Sequence, residues 1–287
     1  LTRFNDFDRA NRFTSACSPI VYRDSFLQEL VGQAFVCEPV HNLVHRHVMR
    51  RDGVSFASSR VATEEQSEFL TSSDNWFRPT MIRTGPDGAL WIADMYRMVI
   101  EHPKWIPANW QRQLDLRAGH DRGRIYRITR LDDQRTPAAA ATFDDQDSMT
   151  LLKQLQSTSG WRRDTAQEML VRRNDPETIA PLQLIAITST TPLGRLHALC
   201  TLDGMGSLKS DILATALRDK HAGVRRHAVR LASQFDDDEI QRLVTSLSAS
   251  EADAPVQMQI AITLGYFDSP LAGQALGRMA VEHAEQT

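Results

Sequence analysis

The pattern of apolar and polar positions changes once along this chain, close to residue 133. Before that point, short runs rich in Val, Ile, Phe and Trp are broken by Gly, Pro, Asn and Asp, as in β-strands joined by tight turns. From about residue 149 onward, apolar residues recur at the spacing of amphipathic helices. The sequence therefore predicts a β-sheet part followed by an α-helical part.

Two turn sequences organise the predicted sheet part. Asp52-Gly53 separates two β-like runs, and Gly85-Pro86-Asp87-Gly88 separates another two. Gly accepts positive φ and Pro presets the preceding turn angle, so the chain must reverse at both places. The predicted strands are residues 34–37, 43–49, 54–61, 79–83, 89–94 and 124–128.

A strand, a Gly-Pro-Asp-Gly turn and a strand ending in Asp form the inner hairpin of many β-propeller blades. The order of the strands favours about two blades, roughly residues 33–62 and 76–130. A closed propeller needs about four to eight blades. We therefore expect the chain to be a fragment of a longer protein, and its start at Leu1 favours the same interpretation.

The helical part contains a quasi-repeat. Its units align on alanines about 30–33 residues apart, and each Ala is followed by an apolar helical stretch: Ala166, Ala198, Ala228 and Ala261. One such helix pair cannot bury its apolar face alone, so the units must stack. Arginines recur beside the alanines, and we expect them to cap turns, pair with Asp of a neighbouring unit, or form a basic ridge. The pattern is similar to short HEAT-type repeats, with an irregular helical bundle as the alternative.

The predicted fold class is multidomain β plus α: a partial β-propeller of about two blades followed by an α-helical HEAT-like solenoid. The predicted domains are the C-terminal propeller blades at residues 1–132, a linker at 133–148, and the solenoid at 149–287. The linker is assigned because Pro and small polar residues dominate there and no hydrophobic period holds.

Composition excludes some classes of function. The net charge of −3 supplies no basic field, so nucleic-acid binding is not expected. No apolar run reaches the roughly 18 residues of a membrane-spanning helix. The chain has three cysteines and no Cys-x-x-Cys-His motif, so it carries no haem attachment site. Cys17 and Cys37 either pair in an oxidising compartment or remain buried free thiols.

Three histidines lie within seven residues, at His41, His45 and His47. On a strand they would share one face, because side chains alternate. Such a group could serve a metal or a redox cofactor, but ligands must converge from several segments, so no metal site is assigned. The alternative is that these histidines are hydrogen-bonded structural groups.

Charged residues near the predicted hairpin 79–94 are further candidates. Arg78 precedes an inner strand, where it could bind an anionic cofactor carboxylate through two hydrogen bonds or form a salt bridge between blades. Asp94 ends the next strand and could orient a base, bind a cation or pair with Arg97. His102 and His120 bracket an apparent insertion and are candidate acid–base groups, because histidine titrates near neutrality.

The motifs resemble one bacterial family in their order and combination. The segments that carry the resemblance are AFVCEPVHNLVHR (34–46), WFRP (76–79), GPDGALWIADMYR (85–97), IEHP (100–103) and RAGHDRGRIYRI (117–128). The family is described as membrane-bound dehydrogenases. Its members have a propeller similar to soluble quinoprotein glucose dehydrogenase, then HEAT-like repeats, and often a C-terminal cytochrome c domain.

The resemblance implies a periplasmic or envelope-associated protein that oxidises a sugar or an alcohol. It implies pyrroloquinoline quinone as electron acceptor, calcium beside it, and a cytochrome c domain or other electron-transfer partner. Carried onto this sequence, the implied catalytic residues are His41, Asp94 and His120, and the implied cofactor-binding residues are Arg78, Tyr96 and Arg97. A fold does not by itself establish an activity.

Two hypotheses follow. In the first, the chain is part of a quinone-dependent dehydrogenase that is inactive alone, and the solenoid binds a protein partner. In the second, propeller and solenoid are both non-catalytic binding scaffolds.

Overall fold

The computed structural model describes residues 12–133, 143–282 and Ala284. The chain forms two compact units, residues 1–50 with 57–140, and residues 51–56 with 141–287. Antiparallel sheets occupy the N-terminal part and helices follow, so the fold is mixed β and α. Most of the predicted linker, residues 134–142, lies outside the described residues, and the predicted domain boundaries stay predictions.

The N-terminal part contains two antiparallel sheets. In the first, the strand order is β1-β2-β3-β4, and β5 also pairs with β3; in the second, the order is β6-β7-β8. The strands of the first sheet are β1 (Cys17–Val21), β2 (Ala34–Glu38), β3 (Leu43–Asp52), β4 (Ser55–Arg60) and β5 (Leu70–Thr71). Those of the second are β6 (Pro79–Thr84), β7 (Leu90–Asp94) and β8 (Arg124–Ile128).

The six strands predicted from the sequence are confirmed, and two further strands were missed. β1 breaks the alternating pattern, because Ser18 has a φ of 52° and a bulge follows Cys17 in its pairing with β2. β5 has only two residues, too few for a pattern. The first sheet therefore extends beyond the predicted blade at residues 33–62 in both directions. Neither sheet closes into a barrel.

Tyr22 ties the end of β1 to the Gly-Pro-Asp-Gly turn. The side chain is fully buried, and its hydroxyl donates to the Gly88 carbonyl at 2.6 Å while accepting from the Leu27 N–H at 3.0 Å. Burial raises the pKa of this phenol, so it stays a donor. Gly88 has a φ of 82°, and a Cβ there would lie 2.5 Å from Asp24 Oδ1, so the turn requires glycine.

Ten α-helices lie within the described residues, and nine of them follow residue 147. The short α1 is Ala108–Gln111. The others are α2 (Ser148–Gln154), α3 (Gly160–Arg173), α4 (Ile179–Thr188), α5 (Pro192–Gly204), α6 (Ser210–Leu217), α7 (Ala222–Ala232), α8 (Asp238–Leu247), α9 (Ala254–Leu264) and α10 (Pro270–Glu282). In these parts of the chain, no helix is long and apolar enough to cross a membrane.

The helices pack in two alternating rows. α3 packs on α5, α5 on α7 and α7 on α9; likewise α4 packs on α6, α6 on α8 and α8 on α10. Ala166, Ala198 and Ala228 are fully buried in the shared core, as expected where small residues let helices approach closely. Asp175 and Asp237 cap the helical turns that follow them, since both side chains accept hydrogen bonds from following N–H groups.

An arginine near the start of alternate helices binds back to the chain that precedes its helix. The guanidinium groups of Arg163, Arg195 and Arg225 donate to carbonyls six residues earlier, those of Ser157, Ser189 and Asp219. Gln257 makes the equivalent bond to the Glu251 carbonyl at 2.7 Å. This hydrogen bond between residues six positions apart holds each turn against the helix that follows it.

The same arginines join neighbouring units. Arg195 pairs with Asp219 through two hydrogen bonds of 2.5 and 2.7 Å, and Arg225 pairs with Glu251 through two of 2.7 Å. Pairing with acids of the adjacent unit was one of the three sequence-based expectations, and it is confirmed. Burial alone would raise the pKa of both carboxyls, Asp219 and Glu251. The hydrogen bonds from Arg195 and Arg225 outweigh burial, so both pKa values lie below the usual range.

The arginine positions correct the alignment of the last unit. Gln257 occupies the place of Arg163, Arg195 and Arg225, so the residue equivalent to the buried alanines is Ile260, three positions later. Ile260 is fully buried, whereas Ala261 is only half-buried. The expected alignment on Ala261 was therefore wrong by one residue, because Gln in place of Arg hid the true register.

Replacing Arg225 by Ala should destabilise the helical unit by about 2–3 kcal/mol, because Glu251 would keep a buried charge without its partner. Arg226→Ala is the matched control, since Arg226 is an exposed residue of the same helix. Urea unfolding followed by circular dichroism at 222 nm measures both. Equal losses in the two variants would contradict the structural role of Arg225.

The stabilisation by Glu251 should also depend on pH. Its folded pKa is depressed, so the contribution is complete above the unfolded pKa of about 4.3 and disappears as pH falls through the folded value. The stability difference between the native chain and Arg225→Ala should therefore shrink between pH 6 and pH 3. The same urea titrations repeated across this range test it, and a difference independent of pH would contradict it.

Candidate functional site

The structure brings four of the predicted site residues, Arg78, Asp94, Tyr96 and Arg97, to one corner of the β unit. Arg78 lies immediately before β6, and the other three lie at the end of β7 and in the turn after it. The first pair of β6 and β7, Pro79 with Asp94, closes this end of the hairpin. The corner is therefore built where two strands meet and the chain leaves the sheet.

The Arg78 guanidinium is buried and donates to backbone carbonyls of two other segments. Nε donates to Arg97 O at 2.9 Å and Nη2 to Met98 O at 3.0 Å. Nη1 donates to Pro39 O at 2.9 Å and to Val40 O at 3.4 Å. An arginine has five N–H donors in a planar fork, and here each of its nitrogens already has an acceptor. Arg78 thus fastens the turn after β2 to the turn after β7.

Asp94 is buried and holds the backbone of the same corner. Its Oδ1 accepts from the N–H groups of Arg78 and Tyr96, both at 2.8 Å. Its Oδ2 is buried without a hydrogen-bond partner among the described residues. Tyr96 adopts a left-handed backbone with φ of 49°, which costs energy for a non-glycine residue and is stabilised by this carboxylate.

Tyr96, Arg97 and His120 contact other parts of the chain around the corner. The Arg124 guanidinium lies 3.7 Å from the centre of the Tyr96 ring, and Arg97 donates to Arg117 O at 2.9 Å. His120 is exposed, and its N–H donates to the same Arg117 carbonyl at 2.9 Å. The acid–base and cofactor roles expected for these residues stay predictions, and the geometry supports a structural role for Arg78 and Asp94.

The hydrogen bonds of Arg78 do not fit the binding of an anionic quinone carboxylate, and Tyr96 is engaged on one face. Arg78 would have to abandon its carbonyl acceptors to form a pair of hydrogen bonds with a cofactor carboxylate. One face of Tyr96 already carries the guanidinium of Arg124. We therefore derive no chemical step through pyrroloquinoline quinone or calcium from these residues.

A different cluster lies on β3. His45 and His47 stand side by side on one face of the strand, and their Nε2 atoms are 2.6 Å apart. His45 Nδ1 lies 2.5 Å from Glu68 Oε2, and His47 Nδ1 lies 3.0 Å from Ser58 Oγ. Arg60 pairs with the other oxygen of Glu68. We call His45, His47, Glu68 and Ser58 the histidine relay.

When both rings are neutral, the hydrogen bonds of the relay donate in one order, from Ser58 to His47, from His47 to His45 and from His45 to Glu68. A carboxylate only accepts hydrogen bonds, and Glu68 accepts from Arg60, so the hydrogen of the His45–Glu68 pair lies on His45 Nδ1 and His45 Nε2 is an acceptor. His47 then donates from Nε2 and accepts the Ser58 hydroxyl hydrogen at Nδ1. Burial, followed by the nearby His45 and Arg60, lowers the pKa of His47, which favours this neutral form.

An open cavity of about 470 Å³ lies on the far side of the carboxylate. Its lining residues are polar and come from β4, β5 and the loop between them: Arg60, Glu65, Gln66, Ser67, Glu68 and Thr71. Glu68 thus has one oxygen on His45 while its side chain also borders space that a small polar molecule could enter. Glu68, a group that can accept or donate a proton, is therefore both a cavity-lining residue and a hydrogen-bond partner of His45.

His41 does not join the relay through the shared strand face that the spacing predicted. It lies before β3, in the turn after β2, and its Nδ1 is 3.3 Å from Glu38 Oε1. Its ring and that of His45 both contact Phe13, with ring centres 5.9 and 5.2 Å away. The sequence did place His45 and His47 on one face correctly. It did not indicate Glu68 or Ser58, which reach β3 only through strand pairing.

Cys17 and Cys37 lie directly opposite each other on β1 and β2, and both are free thiols. Burial, with a smaller effect of Cys17, raises the pKa of Cys37 to about 12, and burial also raises that of Cys17. Both sulfurs therefore stay protonated near neutral pH, as inert buried thiols do.

The helical unit has one further feature, a groove of about 510 Å³ between α3 and α5. Its lining combines charged and apolar side chains and consists of Asp164, Gln167, Glu168, Val171, Arg172, Cys200 and Gly204. A Cβ at Gly204 would lie 2.8 Å from Val171 Cγ2, so glycine permits the two helices to approach closely at the groove floor. His197 borders this region and lies 2.7 Å from Gln167 Oε1.

The N-terminal part of the chain is similar to a known protein family. Residues 1–132 match the family model of a domain of unknown function, DUF7133. No curated protein matches the chain. The matched segment covers the β unit described here, and the description of that family names no activity.

Replacing Arg78 by Lys should destabilise the β unit by about 2–3 kcal/mol, because one ammonium group cannot satisfy carbonyls on both sides of the corner. Arg83→Lys is the control on the same strand, where the arginine is exposed. Four of the five tryptophans lie in residues 76–110, so fluorescence-detected urea unfolding reports on this unit. If Arg78→Lys lowers the free energy of unfolding no more than Arg83→Lys does, the structural role of Arg78 is refuted.

Proposed function

We propose that this chain is a binding scaffold, built from a propeller-type β unit and a HEAT-type helical unit, whose helical surface binds a protein partner. The observation that carries the proposal is the repeated arginine of the helical unit. Arg195 and Arg225 each fasten their own turn and the acid of the following unit, which keeps successive helix pairs in one register. Stacked units with a constant register present an extended surface for binding.

The order in which the helices and the strands pack supports the HEAT-type assignment of the helical unit and the propeller-type assignment of the β unit. Helices that alternate between two rows, with equivalent residues about every 30 positions, are typical of HEAT-type solenoids. Antiparallel sheets with short connections and a Gly-Pro-Asp-Gly inner hairpin are typical of propeller blades. Both classes remain part of this proposal.

The groove between α3 and α5 is the proposed contact surface. Asp164 and Glu168 are exposed and lie one helical turn apart along its edge, and Val171 and Gly204 line it with apolar surface. Two adjacent carboxylates attract a basic segment of a partner and steer its approach. The family resemblance points to an electron-transfer partner such as a c-type cytochrome domain, and to the periplasm or cell envelope as the place of encounter.

Titration of the intact chain with a small basic c-type cytochrome at low ionic strength tests this surface. Weak binding that disappears at high salt is expected, because exposed charges are screened. Changing Asp164 and Glu168 together to Lys should weaken it by about tenfold or more, equal to about 1.4 kcal/mol. Isothermal titration calorimetry measures the dissociation constants.

The control is a charge reversal outside the groove. Glu177 is exposed and lies before α4, so Glu177→Lys changes the net charge without touching the α3–α5 surface. The binding free energy lost per reversed charge can be compared between the Asp164→Lys/Glu168→Lys variant and Glu177→Lys. Equal losses would show general electrostatic attraction and would contradict a contact surface in the groove.

A second candidate function is a contribution to a sugar or alcohol dehydrogenase, as the family resemblance implies. One observation favours it: Glu68 borders a cavity and is connected through His45 and His47 to Ser58, so protons could be passed from that cavity. Dye reduction across a panel of sugars and alcohols, with pyrroloquinoline quinone and Ca²⁺ added, tests it. Activity lost on Glu68→Gln would favour this function over the scaffold, and no activity would favour the scaffold.

A further inference from the structure

His45 and His47 have the arrangement of a two-nitrogen chelate. They are two positions apart on β3, so both rings leave the same face of the strand. Their Nε2 atoms face each other at 2.6 Å, which means that both ring edges converge on one point rather than diverging into solvent. Both side chains are partly buried, and this limits the number of ring orientations available to each.

The outer nitrogen of each ring already has a hydrogen-bond partner. Glu68 binds His45 Nδ1 and Ser58 binds His47 Nδ1, at 2.5 and 3.0 Å. A histidine that ligates a metal through one nitrogen almost always gives the hydrogen on its other nitrogen to a carboxylate, carbonyl or water. Both histidines therefore have the outer partner that fixes the ring and leaves Nε2 directed inward.

The relay can free both Nε2 lone pairs by giving up only the hydrogen bond between the two rings, while both outer hydrogen bonds are kept. In the metal-free neutral pair, one hydrogen lies between the two Nε2 atoms. Moving that hydrogen of His47 to its Nδ1 lets Nδ1 donate to Ser58 Oγ, and a hydroxyl can accept as well as donate. No proton needs to leave the protein, and both Nε2 atoms then present lone pairs.

We propose that His45 and His47 bind one divalent transition-metal ion of the zinc and copper class through their Nε2 atoms. Glu68 and Ser58 hold the two rings in place. Neutral imidazole nitrogen is a preferred ligand of Zn²⁺, Cu²⁺ and Ni²⁺. Metal–nitrogen bonds of about 2.0–2.1 Å require the two nitrogens to be roughly 3 Å apart, so the rings must separate by a few tenths of an ångström.

The protein supplies two ligands, and solvent or a bound anion completes the coordination. Within the described parts of the chain, no group of three or more His, Cys, Asp or Glu side chains is arranged to hold a metal. Arg60 also offsets the charge of Glu68. We therefore expect a dissociation constant in the micromolar range. The site extends beyond the proposed scaffold role and does not depend on it.

Zn²⁺ titration of the intact chain at pH 7.5, in competition with a chromophoric chelator, measures the affinity. His45→Gln and His47→Gln should each weaken Zn²⁺ binding by about tenfold or more, and Glu68→Gln by about tenfold through the outer hydrogen bond. His120→Gln should leave it unchanged, since His120 is an exposed histidine on another loop.

The Cu²⁺ electron paramagnetic resonance spectrum of the native chain counts the ligands directly, independently of any folding defect in a variant. Coupling to two imidazole nitrogens is expected, falling to one in His45→Gln and in His47→Gln. Zn²⁺ binding no tighter in the native chain than in the His45→Gln/His47→Gln double variant would overturn the proposal, as would a Cu²⁺ spectrum without a pair of imidazole nitrogens. Either result would mean that the two rings only share a proton.

Discussion

Buried backbone carbonyls at chain reversals are the constraint on which both units depend, and arginine side chains satisfy it. A carbonyl removed from water costs about 1–3 kcal/mol if it finds no donor. In the β unit, Arg78 supplies donors to two turns at once. In the helical unit, Arg195 and Arg225 each bind the turn before their helix and an acid of the next unit. The planar fork of guanidinium suits this task because its donors point in several directions with little loss of rotamer freedom.

This use of arginine changes the interpretation of the β unit. Arg78 and Asp94 look chemically active in the sequence. In the structure, their side chains form hydrogen bonds with the protein's own backbone. Titratable side chains instead border a cavity at Glu68, beside His45 and His47. A dehydrogenase role for this chain would therefore depend on the histidine relay rather than on the corner, and the scaffold role needs neither.

Local features were predictable from the sequence, and long-range ones were not. The hairpins around Gly53 and Gly88 follow from turn chemistry, and the helical spacing of the buried alanines follows from periodicity. Glu68 was missed because β5 pairs with β3 across more than twenty residues, and nothing in its local sequence marks it. For Arg78 the sequence offers a cofactor carboxylate or a salt bridge as partner, because it records the charge of a side chain but not the carbonyls that surround it. The last repeat was misaligned by one residue because Gln257 replaces the arginine that defines the position.

The central claim is that the Arg78 guanidinium is fully engaged inside the protein, and its own N–H signals test that most directly. Nitrogen-15 NMR of arginine side chains should give a separately resolved Arg78 Nε–H that exchanges slowly with water and does not shift when an anionic quinone is added. Rapid exchange like that of exposed Arg83, or a saturable shift on addition of the quinone, would contradict the account and return Arg78 to the role of a ligand-binding residue.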